Sequence, residues 1–242
     1  MKNCLAIPLI VLFFSASSQK KTVEPQKDPM PPTPITQTTD KNKTYTYLAL
    51  GDSYTVGESV AVSDRYPDLI VSELQKDNII VKDTIIAKTG WTTQNLKTAI
   101  LNANIDSKKY DIVSLLIGVN NQYQGRSLSE YKVQFKDLLE TAIKFANNNK
   151  AKVFVISIPD YSYTPSCNSN QNKISKEIDN FNSANKRIIA SMGIKYFDIT
   201  PISRDGLKQP ELVAVDELHP SGIQYQKWVD LMINDVKVII NK

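Results

Sequence analysis

The stretch "LALGDSYTVGES", residues 48–59, runs three apolar residues into Gly51-Asp52-Ser53 and places a second glycine at Gly57. An apolar run that stops on glycine reads as a buried strand meeting a tight turn. Ser53, two residues further on, is then either an ordinary turn residue or a hydroxyl held out at the end of a sheet. What the rest of the chain places beside it decides between these.

Outward from this stretch the chain alternates. "YTYLALG" (45–51) is the first strand, and "RYPDLIVSELQKD" (65–77) has Leu69, Ile70 and Leu74 at helical spacing. "IIVKDTIIAKTG" (79–90) is β-branched, and 92–105 follows as a helix with Leu96, Ile100 and Leu101 as its apolar face. "YDIVSLLIG" (110–118) is a continuous apolar run, as in a strand covered on both faces. Ser127 and Glu130 match a capping box, opening a helix to about Asn147 with Phe135, Leu138, Leu139, Ala142 and Phe145 inward. A strand at 152–159, a helix at 174–192 stopped by Gly193 and a strand at 194–200 follow. Ser221 to Gln224 reads as a second capping box, opening a last helix through Trp228, Leu231 and Ile233.

Five strands alternating with helices predict an α/β fold, a parallel sheet with helices on both faces and right-handed crossovers. In such sheets ligands bind beyond the carboxyl ends of the strands. The loops there begin at Gly51, Gly90 and Gly118, three strand-end glycines that read as room for close backbone approach.

The flanking segments set the context. Lys2, an apolar stretch from Leu5 to Phe14 and the small residues Ser15 to Ser18 read as a signal peptide over 1–18, too short to span a bilayer. Residues 19–43, with Pro25, Pro29, Pro31, Pro32 and Pro34 among polar neighbours, read as an extended linker ahead of one domain at 44–242. The expectation is an exported protein, periplasmic or secreted. Cys4 precedes the apolar stretch, so Cys167 is the only cysteine of the mature chain and no internal disulfide is available. The net charge of +4 is scattered, so nothing points to nucleic acid as a partner. One histidine and one mature cysteine do not make a common zinc site, and no metal or cofactor is called for.

A serine hydroxyl is a weak nucleophile until a base takes its proton. The chain has one histidine, so the candidate base is His219, in "VAVDELHPSG" (213–222). Asp216 lies three residues earlier, the spacing of a helical turn, where a carboxylate can accept the imidazole N–H and fix its tautomer. Acyl transfer also needs donors aimed at a developing oxyanion. The Ser53 and Gly90 N–H groups and the Asn120 amide, one from each of the first three loops, are candidates. Taken singly, each of these residues reads as a turn or surface group. Their convergence at one end of the sheet gives them weight.

These blocks, in this order, resemble the GDSL/SGNH hydrolase family of serine esterases and lipases. "GDSYTVGES" resembles its first block, Gly90 its second, "GVNN" (118–121) its third and "DELHPSG" (216–222) its last, over nearly all of 45–240. The resemblance implies a flavodoxin-like three-layer α/β/α sandwich with a five-stranded parallel sheet. It implies Ser53 as nucleophile, His219 as base, Asp216 as its orienting acid, and an oxyanion hole of Ser53, Gly90 and Asn120. Asn121 stands where the family usually has Asp, which puts the local loop structure in question more than the chemistry.

The reading is an exported serine hydrolase of carboxylic esters, with a short acyl or acetyl group, possibly on a carbohydrate, as substrate. Activity should rise with pH as His219 loses its proton. Lysophospholipase or thioesterase action on the same site and a non-catalytic ligand-binding domain are the alternatives. Trp91, Arg126, Tyr161 and Tyr163 are candidate substrate contacts, with 160–173 as a long loop over the site and Arg126 available for an anionic group. Cys167, with no base beside it, reads as inert.

Overall fold

The computed structural model describes residues 43–242. The expected signal peptide, Cys4 and all of the expected linker except Lys43 lie outside the described residues. The strands are β1 (Thr44–Gly51), β2 (Ile80–Ala87), β3 (Ile112–Leu116), β4 (Val153–Ile156) and β5 (Lys195–Phe197). The helices are α1 (Ser53–Val56), α2 (Tyr66–Lys76), α3 (Thr93–Asn102), α4 (Val119–Tyr123), α5 (Leu128–Phe145), α6 (Gln171–Met192), α7 (Thr200–Ser203) and α8 (Gly222–Ile240).

All pairings are parallel and the order is β2-β1-β3-β4-β5. This is the flavodoxin-like order, whose switch point lies between β1 and β3. From β1 the chain crosses outward to β2, then returns over β1 to reach β3. With right-handed crossovers the two directions put their helices on opposite faces. Accordingly α2 packs with α8 on one side, and α5 packs with α3 and α6 on the other. The five residues of β3 and the four of β4 are all buried, which is why both read as unbroken apolar runs. Edge strand β2 is only half covered and carries Lys82 and Asp83.

The core is continuous through both layers, from Tyr66, Leu74 and Trp228 to Tyr131, Phe135 and Phe154. Burying a side chain of this size contributes about 1.5–3 kcal/mol. Two expected core residues lie outside it. Leu101 is 62% exposed at the end of α3 and Leu231 is 50% exposed on α8, because each sits one step past the face its helix presents inward.

The capping differs as well. Ser127 caps the Glu130 N–H, but the Glu130 carboxylate accepts from Gln134 one turn on and does not reach back. The reciprocal box is at α3, where Thr92 accepts from the Asn95 N–H and Asn95 Oδ1 accepts from the Thr92 N–H at 3.0 Å. Asn is shorter than the Glu or Gln of the usual pattern, which hid it.

The strand-end glycines also differ from expectation. A Cβ on Gly51 would meet Thr55 Oγ1 at 2.0 Å and the Leu116 carbonyl at 2.6 Å, so the close approach is to the protein's own chain. Gly90 lies three residues beyond the end of β2, at φ 81°, with open space where a Cβ would be. Its glycine answers to backbone conformation alone.

Candidate active site

Ser53 is the first residue of α1, immediately after β1. Asp52 caps that helix: its Oδ1 accepts from the Tyr54 N–H at 3.1 Å and its carbonyl from the Thr55 and Val56 N–H groups. The Ser53 N–H is thus left as the helix-terminal donor without an intrahelical acceptor. Gly57, at φ 76°, ends the helix after one turn. The serine side chain is buried except toward a cleft.

Asp216 and His219 do not sit on a helical turn, as their spacing suggested. They face each other across a closed loop. Val213 and Pro220 form an antiparallel bridge, and the Ala214 N–H donates to the His219 carbonyl at 2.8 Å. Glu217 takes φ 61° at the tip, turning its own side chain away. Asp216 Oδ1 accepts from the Leu218 and His219 N–H groups at 3.0 and 2.9 Å. Its Oδ2 lies 2.6 Å from His219 Nδ1, and His219 Nε2 lies 3.0 Å from Ser53 Oγ.

Burial would raise the Asp216 carboxyl, but hydrogen bonds from Ser59, the His219 ring and the two backbone N–H groups outweigh it and bring it down to about 2. The carboxylate is therefore ionised and accepts the Nδ1 proton. That leaves Nε2 with its lone pair toward Ser53, whose hydroxyl donates to it. Tyr54 lies over the imidazole, ring centroids 5.2 Å apart, and its carbonyl accepts from Tyr225 on α8.

Ser53, Gly90, Asn120 and His219 line one cleft of about 220 Å³. Asn120, on α4, donates through Nδ2 to the Trp91 carbonyl at 3.1 Å, which holds the amide in place and leaves its second N–H for the cleft. Asn121 is buried and ties α4 to α3: its Oδ1 accepts from the Thr93 N–H and its Nδ2 donates to Thr93 Oγ1. The amide in place of the usual carboxylate therefore leaves the loop braced.

The expected substrate contacts divide. Tyr161 lines the cleft, though as a fixed wall, since it is buried and its hydroxyl donates to Gln122 at 2.7 Å. Trp91 and Tyr163 are not in the lining. Trp91 packs against the core, and Tyr163 lies beneath the Arg204 guanidinium. Arg126 lines a separate small cavity with Glu130 and Gln134, because the turn at Gly125 carries it away from the cleft.

Residues 160–173 are not an open loop but successive 3₁₀ turns running into α6. Asp160, fully buried, anchors them by accepting from Ser162, Ser175 and Arg204. This cover brings Cys167 into the cleft wall, where burial raises its thiol above the ordinary value. The remaining walls come from Tyr54, Thr89, Val119, Tyr123 and Leu218, none of which the sequence reading singled out. A glance at "VNNQY" as a helical turn would place Val119 and Tyr123, four apart, on one face.

Among the described residues no cluster of His, Cys, Asp and Glu is arranged to hold a metal, and no helix is long and apolar enough to cross a membrane.

Fold and site together define a hydrolase of the α/β three-layer type. The chain belongs to the GDSL-like lipase/acylhydrolase family, whose model matches residues 49–227, and is a serine-type carboxylic ester hydrolase. No curated protein matches it. Among solved structures it is similar to TesA, with a TM-score of 0.64 at 16% identity, covering 80% of this chain and 99% of that one. It is also similar to the psychrotrophic esterase EstA from a Pseudoalteromonas species, at 0.63 and 16%, over 82% of this chain and 100% of that one. A third is a variant of Axe2, an acetyl xylan esterase from Geobacillus stearothermophilus, at 0.63 and 20%, over 79% and 94%. At these identities the likeness is one of fold.

Proposed function

We propose that this protein hydrolyses short-chain carboxylic esters, acetyl esters of carbohydrates above all, through an acyl-enzyme on Ser53. The observation that carries the proposal is the unbroken line from Asp216 Oδ2 to His219 Nδ1, 2.6 Å, and from His219 Nε2 to Ser53 Oγ, 3.0 Å. His219 takes the serine proton as Oγ attacks the acyl carbon. The oxyanion forms against the N–H groups of Ser53 and Gly90 and the free N–H of Asn120. The imidazolium then gives its proton to the leaving alcohol. Water repeats the sequence with the same base, releasing the acid and restoring the serine.

The substrate class rests on the cleft. About 220 Å³ between Val119, Tyr161, Cys167 and Leu218 suits a small acyl group better than a fatty chain. Tyr123 stands 68% exposed at the mouth with its ring edge-on to Tyr161, centroids 6.0 Å apart. An exposed aromatic face there suits the apolar face of a sugar ring. Axe2, similar in fold, is by its title an acetyl xylan esterase, which agrees with this choice. Export follows from the signal-like 1–18, and the N-terminal mass of the protein recovered from outside the cytoplasm tests it.

The testing experiment is hydrolysis of p-nitrophenyl acetate, butyrate and octanoate by the wild type and Ser53→Ala. Acetate turnover that falls by about 10⁶, or to background, in the variant is expected. Turnover surviving in the variant removes Ser53 from its role, and a preference for octanoate removes the short-chain assignment.

A further inference from the structure

Ser59 occupies a backbone conformation that does not suit it. Its φ is 66°, in the left-handed region, where a side chain costs about 1–2 kcal/mol and glycine costs nothing. Its side chain is exposed, so no core packing explains the residue. Its hydroxyl donates at 2.7 Å to Asp216 Oδ2, the same oxygen that faces His219 Nδ1.

The segment carrying it leaves Ser53 directly. The Gly57 and Glu58 N–H groups both donate to the Ser53 carbonyl, folding the chain back on the nucleophile. Ser59 then reaches the acid loop while its neighbour Glu58 accepts from Thr89 on the loop after β2.

From this geometry we infer that Ser59 is a positioning residue for the triad, holding the Asp216 carboxylate in the orientation that His219 requires. The inference rests on the hydrolytic reading above. Asp216 has two oxygens and four donors: the Leu218 and His219 N–H groups on Oδ1, and the Ser59 hydroxyl with the His219 ring on Oδ2. Without Ser59 the only donor left on the carboxylate's Oδ2 is the His219 ring itself, so that oxygen is fixed by nothing except the group it has to orient. Its Oδ2 also loses a competing donor and becomes a stronger acceptor for the imidazolium. Both effects follow from one hydroxyl.

The titratable groups around the pair are Asp52 and Tyr54 on the nucleophile loop, Cys167 and Tyr161 from the cover, and Tyr225 on α8. Tyr161 is pushed up to about 12 by burial, while Glu58 is engaged by Thr89. Burial raises Tyr54, Tyr225 and Cys167, so these stay neutral through the range of interest. Asp52 titrates near 7 but is common to all the variants below.

The deciding substitution is Ser59→Gly, which relieves the backbone and deletes the donor. A residue that merely shapes the turn predicts a variant at least as stable and fully active. A positioning residue predicts a melting temperature no lower than wild type, kcat on p-nitrophenyl acetate reduced about tenfold, KM unchanged and the acid limb of the pH profile moved to higher pH. Ser59→Asn tolerates the left-handed conformation and restores a donor, so it recovers most of the loss.

His219 is the only histidine, so in protein made without a histidine tag its ring protons report its titration without assignment. That titration moves to higher pH in the glycine variant and back in the asparagine variant. It is read without turnover. An inactive wild type would therefore overturn the proposed function while the titration still decides the role of Ser59. Wild-type kcat in Ser59→Gly, or a His219 titration that does not move, overturns the inference.

Discussion

Asn121 and Thr93 hold each other by two hydrogen bonds, 2.9 Å from the Thr93 N–H to Asn121 Oδ1 and 2.7 Å from Asn121 Nδ2 to Thr93 Oγ1. The pair is buried and joins the loop that carries Gly90 to the loop that carries Asn120. The spacing of Gly90 and Asn120, two of the three proposed oxyanion donors, thus depends on a pair of side chains that are not donors themselves.

Replacing Asn121 by alanine removes both bonds and leaves the Thr93 N–H buried and unpaired. About 2–3 kcal/mol should be lost, equivalent to a fall of about 5–10 °C in Tm. Ester turnover should fall several-fold at temperatures where the variant is still folded. Thermal melts and kcat on p-nitrophenyl acetate check both. Full activity in a destabilised variant would mean that the two loops keep their spacing without the clasp.

Asp216→Asn separates the structural and chemical roles of the acid. The amide oxygen can still accept from the Leu218 and His219 N–H groups, so the loop should hold. The amide nitrogen then faces His219 Nδ1 and selects the wrong tautomer. A loss in kcat of about 10⁴-fold with a nearly unchanged Tm is expected. A loss under tenfold would show that Asp216 is dispensable to the base.

Asp52 gives the stability of the protein a pH dependence of its own. Its carboxyl is fully buried, with Oδ2 lacking any hydrogen-bond partner, and burial raises it from 3.8 to about 7 against the N–H groups of Tyr54, Asp52 and Gly118. Between those two values the unfolded chain has released the proton and the folded protein retains it, so stability falls as pH rises from about 4 to about 7. Asp216 works with the opposite sign and in a separate window: its depressed carboxyl contributes stability above 3.8 that is lost as pH falls toward about 2. Melts from pH 4.5 to 8 should show a falling Tm that flattens above 7, and Asp52→Asn should remove that slope. Parallel curves for the two proteins would refute the assignment.

A substitution at Tyr123 tests the proposed carbohydrate ester against a simple one. Tyr123→Ala should raise KM about fivefold on an acetylated xylooligosaccharide, the cost of losing about 1 kcal/mol of ring contact, and leave p-nitrophenyl acetate unaffected. Equal effects on both substrates would assign the ring to the acyl side of the cleft.

The alternation of apolar runs carried the fold, because β3 and β4 are covered on both faces and each α-helix of the layers has a clear inward stripe. Residues at the margin of a stripe were the misreadings. Leu101 follows the inward Ile100 and Leu231 follows Asp230, and a hydrophobic identity there does not say which side of the boundary the residue falls on. Ser53, His219 and Asp216 were legible because the chain contains one histidine and its neighbours limit the choice of acid. The geometry joining Asp216 to His219 was not legible, since it depends on a bridge from Val213 to Pro220 and on a left-handed Glu217. Nor was Ser59, whose meaning rests on a contact 157 positions along the chain. Tyr163 and Arg126 were misplaced for one reason: proximity in sequence to the functional end of the sheet does not say where a turn such as that at Gly125 will aim the next side chain.

Ser53 and His219 meet across 166 positions, one at the end of the first strand and the other at the threshold of the last helix. No fragment that ends before residue 219 or begins after residue 53 contains the pair, α8 packs on α2 behind it, and parallel strands pair only through long crossovers. The return of ester turnover after dilution from denaturant therefore reports the closing of the whole sheet with its final helix. Helical circular dichroism, which senses local structure, should recover ahead of it.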